Sequence, residues 1–309
     1  MSRRNKGNDV NGILLLDKPL GLSSNQALQK VRYLFKAKKA GHTGSLDPLA
    51  TGVLPICFGE ASKVTPFLLD SNKSYTCTAQ LGETTTTGDK EGDSLQTREI
   101  KPFSQSELEA VLDKFRGDIT QVPPMYSALK HNGQPLYKLA RQGIEIKRKE
   151  RAVTIFELDL LDHSLLGQST DSITLHIKCS KGTYIRTLAQ DIGEALGCGA
   201  HLSMLRRTDV EPFDGTKLYT IDDIEKLAAD KQQVLEEYLL PIDSALPQHP
   251  SLVLSDDELK RIKYGLKVSR RDLPDTQIIR LYDEDSTFIG IGRLSSDKQL
   301  TARRLMRTN

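Results

Sequence analysis

Gly41-His42-Thr43-Gly44-Ser45-Leu46-Asp47-Pro48-Leu49-Ala50-Thr51-Gly52-Val53-Leu54-Pro55 limits this chain more than any other stretch. Its glycines give access to positive φ, and its prolines fix φ near −65°. A residue that precedes proline is pushed out of the helical region. Asp47 is such a residue, so its carboxylate is expected on a stiff, non-helical bend. An apolar strand or helix, Val53 to Phe58, follows. Such stiffness suits a side chain that must be aimed. Two other uses of the bend stay open at this level. An Asx turn would bond Asp47 to its own backbone. A phosphate cradle would want a Gly-Lys-Ser/Thr ending, which is lacking here.

At 309 residues the chain has room for about two domains. A 38% hydrophobic and 27% charged composition is that of a soluble globular protein. No apolar run approaches the roughly 18 residues of a membrane span. The first eleven residues are polar and basic, without the apolar core of a signal peptide, and read as a disordered cytosolic tail over residues 1–10. Cys57, Cys77, Cys179 and Cys198 are scattered without metal or dithiol spacing, which points to reduced, buried thiols. Neither a metal nor a cofactor is expected.

Net charge is only +2, but it is unevenly spread. Residues 1–48 hold nine Lys/Arg against three acids, and residues 128–151 hold seven against two. Basic segments within a near-neutral chain suit a polyanion touched by particular elements, or else plain solvated surface.

Gly12 to Lys18 reads as a short buried strand stopped by Pro19. Ser23 with Gln26 forms a capping box, and Ala27, Leu28, Val31, Leu34 and Phe35 continue it as an amphipathic helix. Ser74 to Gly82 alternates with period two, as a strand does. Gly82 to Gly92 reads as a loop. A second capping box, Ser104 with Glu107, starts an ordinary amphipathic helix. From Gln121 to Arg151 the chain reads as an irregular, flexible, basic insertion. Arg151 to Asp162 and Ser172 to Cys179 are strands around a polar turn, Ser164 to Ser169. Cys179-Ser-Lys-Gly-Thr-Tyr-Ile-Arg186 then leads into a helix. Arg186 falls in its first turn, where the helix dipole disfavours a cation, so an anion nearby would explain the placement. Helices and a linker near residues 244–250 precede a region of short strands, with one brief helix from Asp256 to Lys263.

Several of these strings together resemble one family. Gly41 to Gly52 matches the G-H-T-G-x-L-D-P-x-A-T-G signature of the bacterial TruB family of tRNA pseudouridine-55 synthases, and the match continues through Gly59, Glu60, Ala61 and Lys63. The segment up to Lys18-Pro19-x-Gly21, the Lys73-x-Tyr75 strand, the Thr-rich segment around Asp89, Ser180 to Arg186 and Gly199 to Thr208 resemble further motifs of that family. The resemblance implies an α/β (α+β) pseudouridine synthase fold. Its central sheet is mixed, mainly antiparallel and flanked by helices. A small C-terminal β-rich PUA-like domain is added. The domains implied are 11–247 for catalysis, with an RNA-binding thumb at about 123–151, and 250–309 for the PUA-like unit.

The resemblance also implies roles. Asp47 is the nucleophile, Arg186 its partner, and Tyr75 stacks on the target base; either Tyr75 or Asp47 is left to take the C5 proton. His42 helps to displace that base, while Leu205 and Tyr184 line its pocket. Lys18 supports the active-site loop, and Asp89 takes the matching place in its motif. Lys130, Arg141, Lys147 and Arg148, with His131, Lys138 and Lys149, are candidate phosphate contacts, which position RNA without reading it. The implied partner is tRNA, through its T-arm stem-loop and, via the C-terminal domain, its acceptor arm. No guide RNA, membrane or cofactor is implied, and a cytoplasmic monomer is expected. Two other classes compete. A tRNA-binding or folding protein would dispense with the carboxylate. A glycoside hydrolase would need a second acid about 5–9 Å from Asp47, for which Asp89 is the distant candidate.

Overall fold

The computed structural model describes residues 7–161, 171–230, 234–273 and 277–307. The turn expected at Ser164 to Ser169 and the first six residues of the tail lie outside these. Strands β1 (Gly12–Lys18), β2 (Ala40–His42), β3 (Ala50–Phe58), β4 (Lys73–Leu81), β5 (Glu83–Thr85), β6 (Ser94–Thr97) and β7 (Gly117–Gln121) come first in the chain. A small hairpin, β8 (Lys130–His131) and β9 (Gln134–Pro135), follows. After it come β10 (Arg151–Leu160), β11 (Ser172–Cys179) and β12 (Ala200–Val210). The main sheet has the order β1-β3-β12-β4-β11-β10-β7, with β2 added beside β3. Its pairings are antiparallel except β3 with β12, so the sheet is mixed and mainly antiparallel, as expected.

The one parallel pairing shapes the functional end. β1 covers β3 from Gly52 to Phe58. β12 pairs with β3 only over Ala50 to Gly52, and β2 pairs with it over Ile56 to Phe58. Residues 43–49, which join β2 to β3, therefore emerge where β12 and β2 part company. Gly52 has φ +100°, and a Cβ there would lie 2.0 Å from the Arg207 carbonyl oxygen. Only glycine lets β3 and β12 approach at this point.

Helices α1 (Ser24–Leu34), α2 (Thr65–Leu69), α3 (Gln105–Leu112), α4 (Leu136–Ala140), α5 (Ile185–Ala195) and α6 (Ile221–Ala229) accompany the sheet. The expected capping boxes at Ser23 and Ser104 are formed. Apolar residues of α1, α3, α5 and α6 join those of β1, β3, β4, β10, β11 and β12 in one large core. Among the described residues no helix is long and apolar enough to cross a membrane.

Helix α7 (Asp256–Lys263) and strands β13 (Ser251–Val253), β14 (Val268–Ser269), β15 (Ile279–Tyr282), β16 (Phe288–Leu294) and β17 (Gln299–Leu305) build the C-terminal unit. Its sheet runs β13-β15-β16-β17-β14 around a core of its own. The segment before it is not a loose linker. Ala245 and Leu246 are buried among Ile13, Leu15 and Phe213 on one side and Ile291 and Met306 on the other. Lys63 Nζ donates to the Leu305 carbonyl at 2.6 Å, and the Arg307 N–H donates to Glu60 at 2.7 Å. Proline content suggested a linker, whereas apolar burial makes this segment a joint.

Three further expectations change. Residues 7–11 are not part of a disordered tail: Asn8 exchanges backbone bonds with Lys36 and Lys38, and Val10 is buried. One apolar side chain in a polar run was too little signal. Gly82 to Gly92 is only partly loop, because β5 pairs with β6. The basic insertion carries a hairpin and α4, whose Leu136 and Leu139 are buried. Its apolar residues fold it locally despite its polar composition.

Candidate active site

The Asp47 bend is held by its backbone. The Ala50 N–H donates to the Asp47 carbonyl at 3.0 Å, and the Gly21 N–H donates to the Pro48 carbonyl at 2.8 Å. Ser24 Oγ accepts from the Leu46 N–H at 2.7 Å and lies 3.1 Å from the Leu46 carbonyl. Lys18 reaches the same corner. It is fully buried, and its Nζ donates to the carbonyls of Pro19 (2.8 Å) and Leu22 (2.5 Å), fixing the turn against which the bend rests. Burial brings the Lys18 pKa down to about 8, although Asp47 nearby opposes the shift.

The Asp47 carboxylate does not close an Asx turn. Its Oδ2 lies 3.0 Å from Arg186 Nη2. Arg186, only 5% exposed, also donates Nη1 to the Thr87 carbonyl and Nη2 to the Tyr126 carbonyl, both at 2.7 Å. Asp89 stands 3.6 Å from Nη1. These acceptors, two carboxylates and two carbonyls, answer the cation at the start of α5. Asp89 is almost wholly buried and takes hydrogen bonds from the Thr87 hydroxyl (2.6 Å) and the Glu91 N–H (3.1 Å). It faces the arginine rather than an opening. Desolvation pushes the Asp47 carboxyl above its ordinary value, and Asp89 adds to the shift. Arg186 and Lys18 pull against it without cancelling it.

Tyr75 and Leu205 lie on neighbouring strands, β4 and β12, and both are buried. Burial raises the Tyr75 phenol above its ordinary value, and the charge of Arg207 opposes the shift. Tyr184 forms the N-cap of α5. Its N–H donates to Gln121 Oε1 at 3.0 Å, and Gln121 Nε2 donates back to its carbonyl at 3.3 Å. Burial also raises the Tyr184 phenol above its ordinary value. His42 ends β2. Burial and then Arg207 lower its pKa, so it is neutral at pH 7, and its Nδ1 is buried without a partner, as is Thr43 Oγ1. Such orphans are rare in native interiors and cluster where function needs them.

The structure thus brings Lys18, Asp47, Asp89 and Arg186 into one electrostatic group, with Tyr75 coupled to Asp47 as well. The basic residues of the insertion stand apart from that group. Lys130, Arg141 and Lys147 are exposed, as are His131, Lys138 and Lys149. Arg148 differs: its side chain is 21% exposed and pairs with Glu145 at 3.2 Å. It lines a cleft of about 530 Å³ together with Thr87, Gly88, Tyr126 and Gln190. Among the described residues no group of three or more His, Cys, Asp or Glu is placed to hold a metal.

Sequence reasoning missed Arg207 and Gln121. Period-two alternation in β12 puts Leu205 and Arg207 on one face and Arg206 on the other, which was a usable signal. Arg206 pairs with Asp17 at 2.8 Å, half exposed, while Arg207 is buried to 2%. Nothing in the sequence around Gln121 marked its clamp on Tyr184.

Comparison with known proteins finds matches along nearly the whole chain. Residues 32–185 match the TruB family pseudouridylate synthase N-terminal domain. Residues 186–247 match the tRNA pseudouridylate synthase B C-terminal domain, and 250–306 the pseudouridine synthase II TruB C-terminal domain. The tRNA pseudouridine synthase B of Pseudomonas putida GB-1 is 51% identical over 97% of each chain. That of Pseudomonas fluorescens Pf-5 is 52% identical over the same shares. Among solved structures, one of a Cbf5-Nop10-Gar1 complex superposes with a TM-score of 0.70 at 23% identity, covering 96% of this chain and 84% of that one. One of an H/ACA RNP bound to a substrate RNA containing 2′-deoxyuridine gives 0.71 at 19%, covering 100% and 92%. Those two likenesses concern the fold, whereas half-identity over nearly full length settles kinship: the chain belongs to the TruB family of pseudouridylate synthases.

Proposed function

We propose that this protein isomerises uridine 55 in the T-loop of tRNA to pseudouridine, with Asp47 as nucleophile. The observation that carries the reading is the Asp47–Arg186 pair at 3.0 Å, on a bend anchored by backbone bonds and coupled to a buried tyrosine. The relatives named tRNA pseudouridine synthase B support the substrate class.

In this reaction the C1′–N1 glycosidic bond breaks and a C1′–C5 bond forms. The C5 proton leaves, and N1 ends protonated. No electron acceptor or second substrate is consumed. A stacked T-loop base must first be extruded, at a cost of a few kcal/mol. His42, neutral and at the rim of the bend, takes up the space the base leaves. Tyr75 and Leu205 hold the base between them, and Tyr184 borders it. Asp47 must be ionised to attack or to stabilise a sugar cation. The guanidinium of Arg186 favours that form and directs its oxygens. Attack at ribose C1′, at base C6, or a glycal route are all compatible with this arrangement.

The exposed basic residues Lys130, Arg141 and Lys147 are suited to the phosphates of the T-arm, and the C-terminal unit to the acceptor arm. The protein works alone, without guide RNA, in the cytoplasm. Recognition then rests on RNA shape and unstacked bases. The hydrolase reading loses its second acid, because Asp89 is buried against Arg186.

Replacing Asp47 with Ala tests the assignment. Release of tritium from C5-labelled uridine in tRNA is expected to vanish, while tRNA binding stays within a few-fold. Turnover by Asp47→Ala at the wild-type rate would refute it.

A further inference from the structure

Helices α1, α3, α6 and α7 each begin on a capping box, in which the N-cap side chain takes an N–H of the first turn and the third helical residue takes the N-cap N–H. Helix α5 does not. Its N-cap is Tyr184, and the Tyr184 side chain makes no capping bond. Half of the box comes instead from a distant strand. Gln121 Oε1 accepts from the Tyr184 N–H at 3.0 Å. Gln121 Nε2 donates to the Tyr184 carbonyl at 3.3 Å, beside the Leu188 N–H that reaches the same oxygen at 3.1 Å. Gln121 is 2% exposed, and these two bonds offset the desolvation of its amide. It is also the last residue of β7 and pairs with Arg151, the first of β10, so the basic insertion leaves and rejoins the sheet at one rung. Further along, the Tyr126 carbonyl accepts from Arg186 Nη2 at 2.7 Å. The root of the insertion thus grips the start of α5 at the Tyr184 peptide and again at the Arg186 guanidinium.

We propose that Gln121 is a positioning residue for the reaction, acting through Arg186. This deepens the function proposed above and rests on it. The Arg186 guanidinium meets the Asp47 carboxylate at 3.0 Å and the Thr87 and Tyr126 carbonyls at 2.7 Å each. Those acceptors lie on three separate segments, so a planar fork reaches all of them only from one position of the helix that carries it. A capping box would fix the first turn of α5 against itself alone. The Gln121 amide fixes that turn against the root of the insertion, where one of the acceptors lies. It also leaves the N-cap position to Tyr184, whose side chain borders the base. Because Gln121 is enclosed, it touches no RNA, and its effect falls on the aim of the nucleophile. Asp47 is faced by Lys18 from β1, by Tyr75 from β4, by Asp89 and Glu91, and by Tyr184 and Arg186 at the start of α5. Gln121 is hydrogen-bonded to Tyr184 and to none of the first four. Loss of its amide therefore loosens the grip of Arg186 on Asp47 and leaves the other neighbours in place.

The test uses the full-length protein and unmodified tRNA carrying C5-tritiated uridine. Tritium release by the wild type is measured first, so failure of the proposed reaction is seen apart from failure of this inference. Gln121→Met keeps the length of the side chain and removes both bonds. It is expected to lower kcat about thirtyfold, the scale of loss when a remote change misplaces a reacting group. The tRNA dissociation constant should stay within about threefold. The acid limb of kcat/KM should move up, because a loosened Arg186 opposes the desolvation of Asp47 less. A defect in stability alone would leave that limb where it is. In an Arg186→Lys background the same change should add less than about threefold, because it acts through the arginine. A kcat within about threefold of wild type, an unmoved acid limb, or full multiplication of the two effects would overturn the proposal. Should Gln121→Met fail to fold, hydrogen exchange in the wild type still decides. The Tyr184 amide should be protected although it stands ahead of the helix. Exchange at the rate of an open loop amide would show that the clamp is not held in solution and end the argument.

Discussion

The Asp47 bend and the basic insertion use the same residue types in opposite ways. Around Asp47 the cations Lys18, Arg186 and Arg207 are buried and bonded to named carbonyls or to the carboxylate itself. On the insertion, Lys130, Arg141 and Lys147 are exposed, and Arg141 lies 5.7 Å from the ring of its own neighbour Tyr137. A buried cation in a low-dielectric setting acts strongly and on one target, and its geometry is its function. An exposed one is screened within a Debye length of about 8 Å at physiological salt, and it contributes by number rather than placement. Substitutions should therefore be severe, specific and insensitive to salt at the bend. On the insertion they should be mild, additive and salt-dependent.

Arg186→Lys is the sharpest way to break that contrast. Lysine keeps the charge but cannot reach Asp47 and the carbonyls of Thr87 and Tyr126 together. The expected loss in kcat is about 10²- to 10³-fold, with tRNA affinity unchanged, because the fork and not the charge is being removed. A loss below tenfold, measured by tritium release at saturating tRNA, would mean that charge alone suffices at the bend.

Next in size is the combined change of Lys130, Arg141 and Lys147 to Gln. Each lost phosphate contact should flatten the slope of log K against log salt by about 0.7 to 0.9. Affinity should fall by one to two decades at low salt, and kcat should hold. Arg148→Gln should barely alter the slope, because that side chain is mostly enclosed beside Glu145. An equal effect from Arg148 would place the RNA inside the cleft it lines.

These two regions were not equally legible in the sequence. The bend announced itself because glycine and proline at fixed spacing restrict the backbone before any tertiary contact forms. Arg186 announced itself through its awkward position at a helix start. The acceptors that answer it, the carbonyls of Thr87 and Tyr126, are main-chain atoms that no side chain advertises. Arg207 was hidden for a related reason: a strand arginine is ordinarily solvated, and only the alternation with Leu205 betrayed its inward face. The joint before the C-terminal unit was misread because Pro241, Pro247 and Pro250 outweighed Ala245 and Leu246. Burial there depends on Ile291 and Met306, far along the chain.

The smallest expected effect concerns the pH response of Asp47. Its folded pKa is raised, so the carboxylate is harder to ionise in the protein than in the unfolded chain. The stability this contributes is present below the unfolded pKa and is lost as pH rises through the folded one. At pH 7 the ionised group is therefore a mild burden. Asp47→Asn should melt at the wild-type temperature or slightly above it, by well under ~1 kcal/mol, since the side chain is 41% exposed and solvent screens the shift. That margin should shrink on acidification, as the wild-type carboxyl takes up its proton. Activity follows the same titration in the other direction: the acid limb of kcat/KM should lie above the ordinary aspartate value of 3.8, and Arg186→Lys should move it higher still by weakening the pull that opposes burial. An acid limb at or below 3.8 would show that the arginine outweighs desolvation at the bend, and the buried cations would then be setting the charge of the nucleophile as well as its direction.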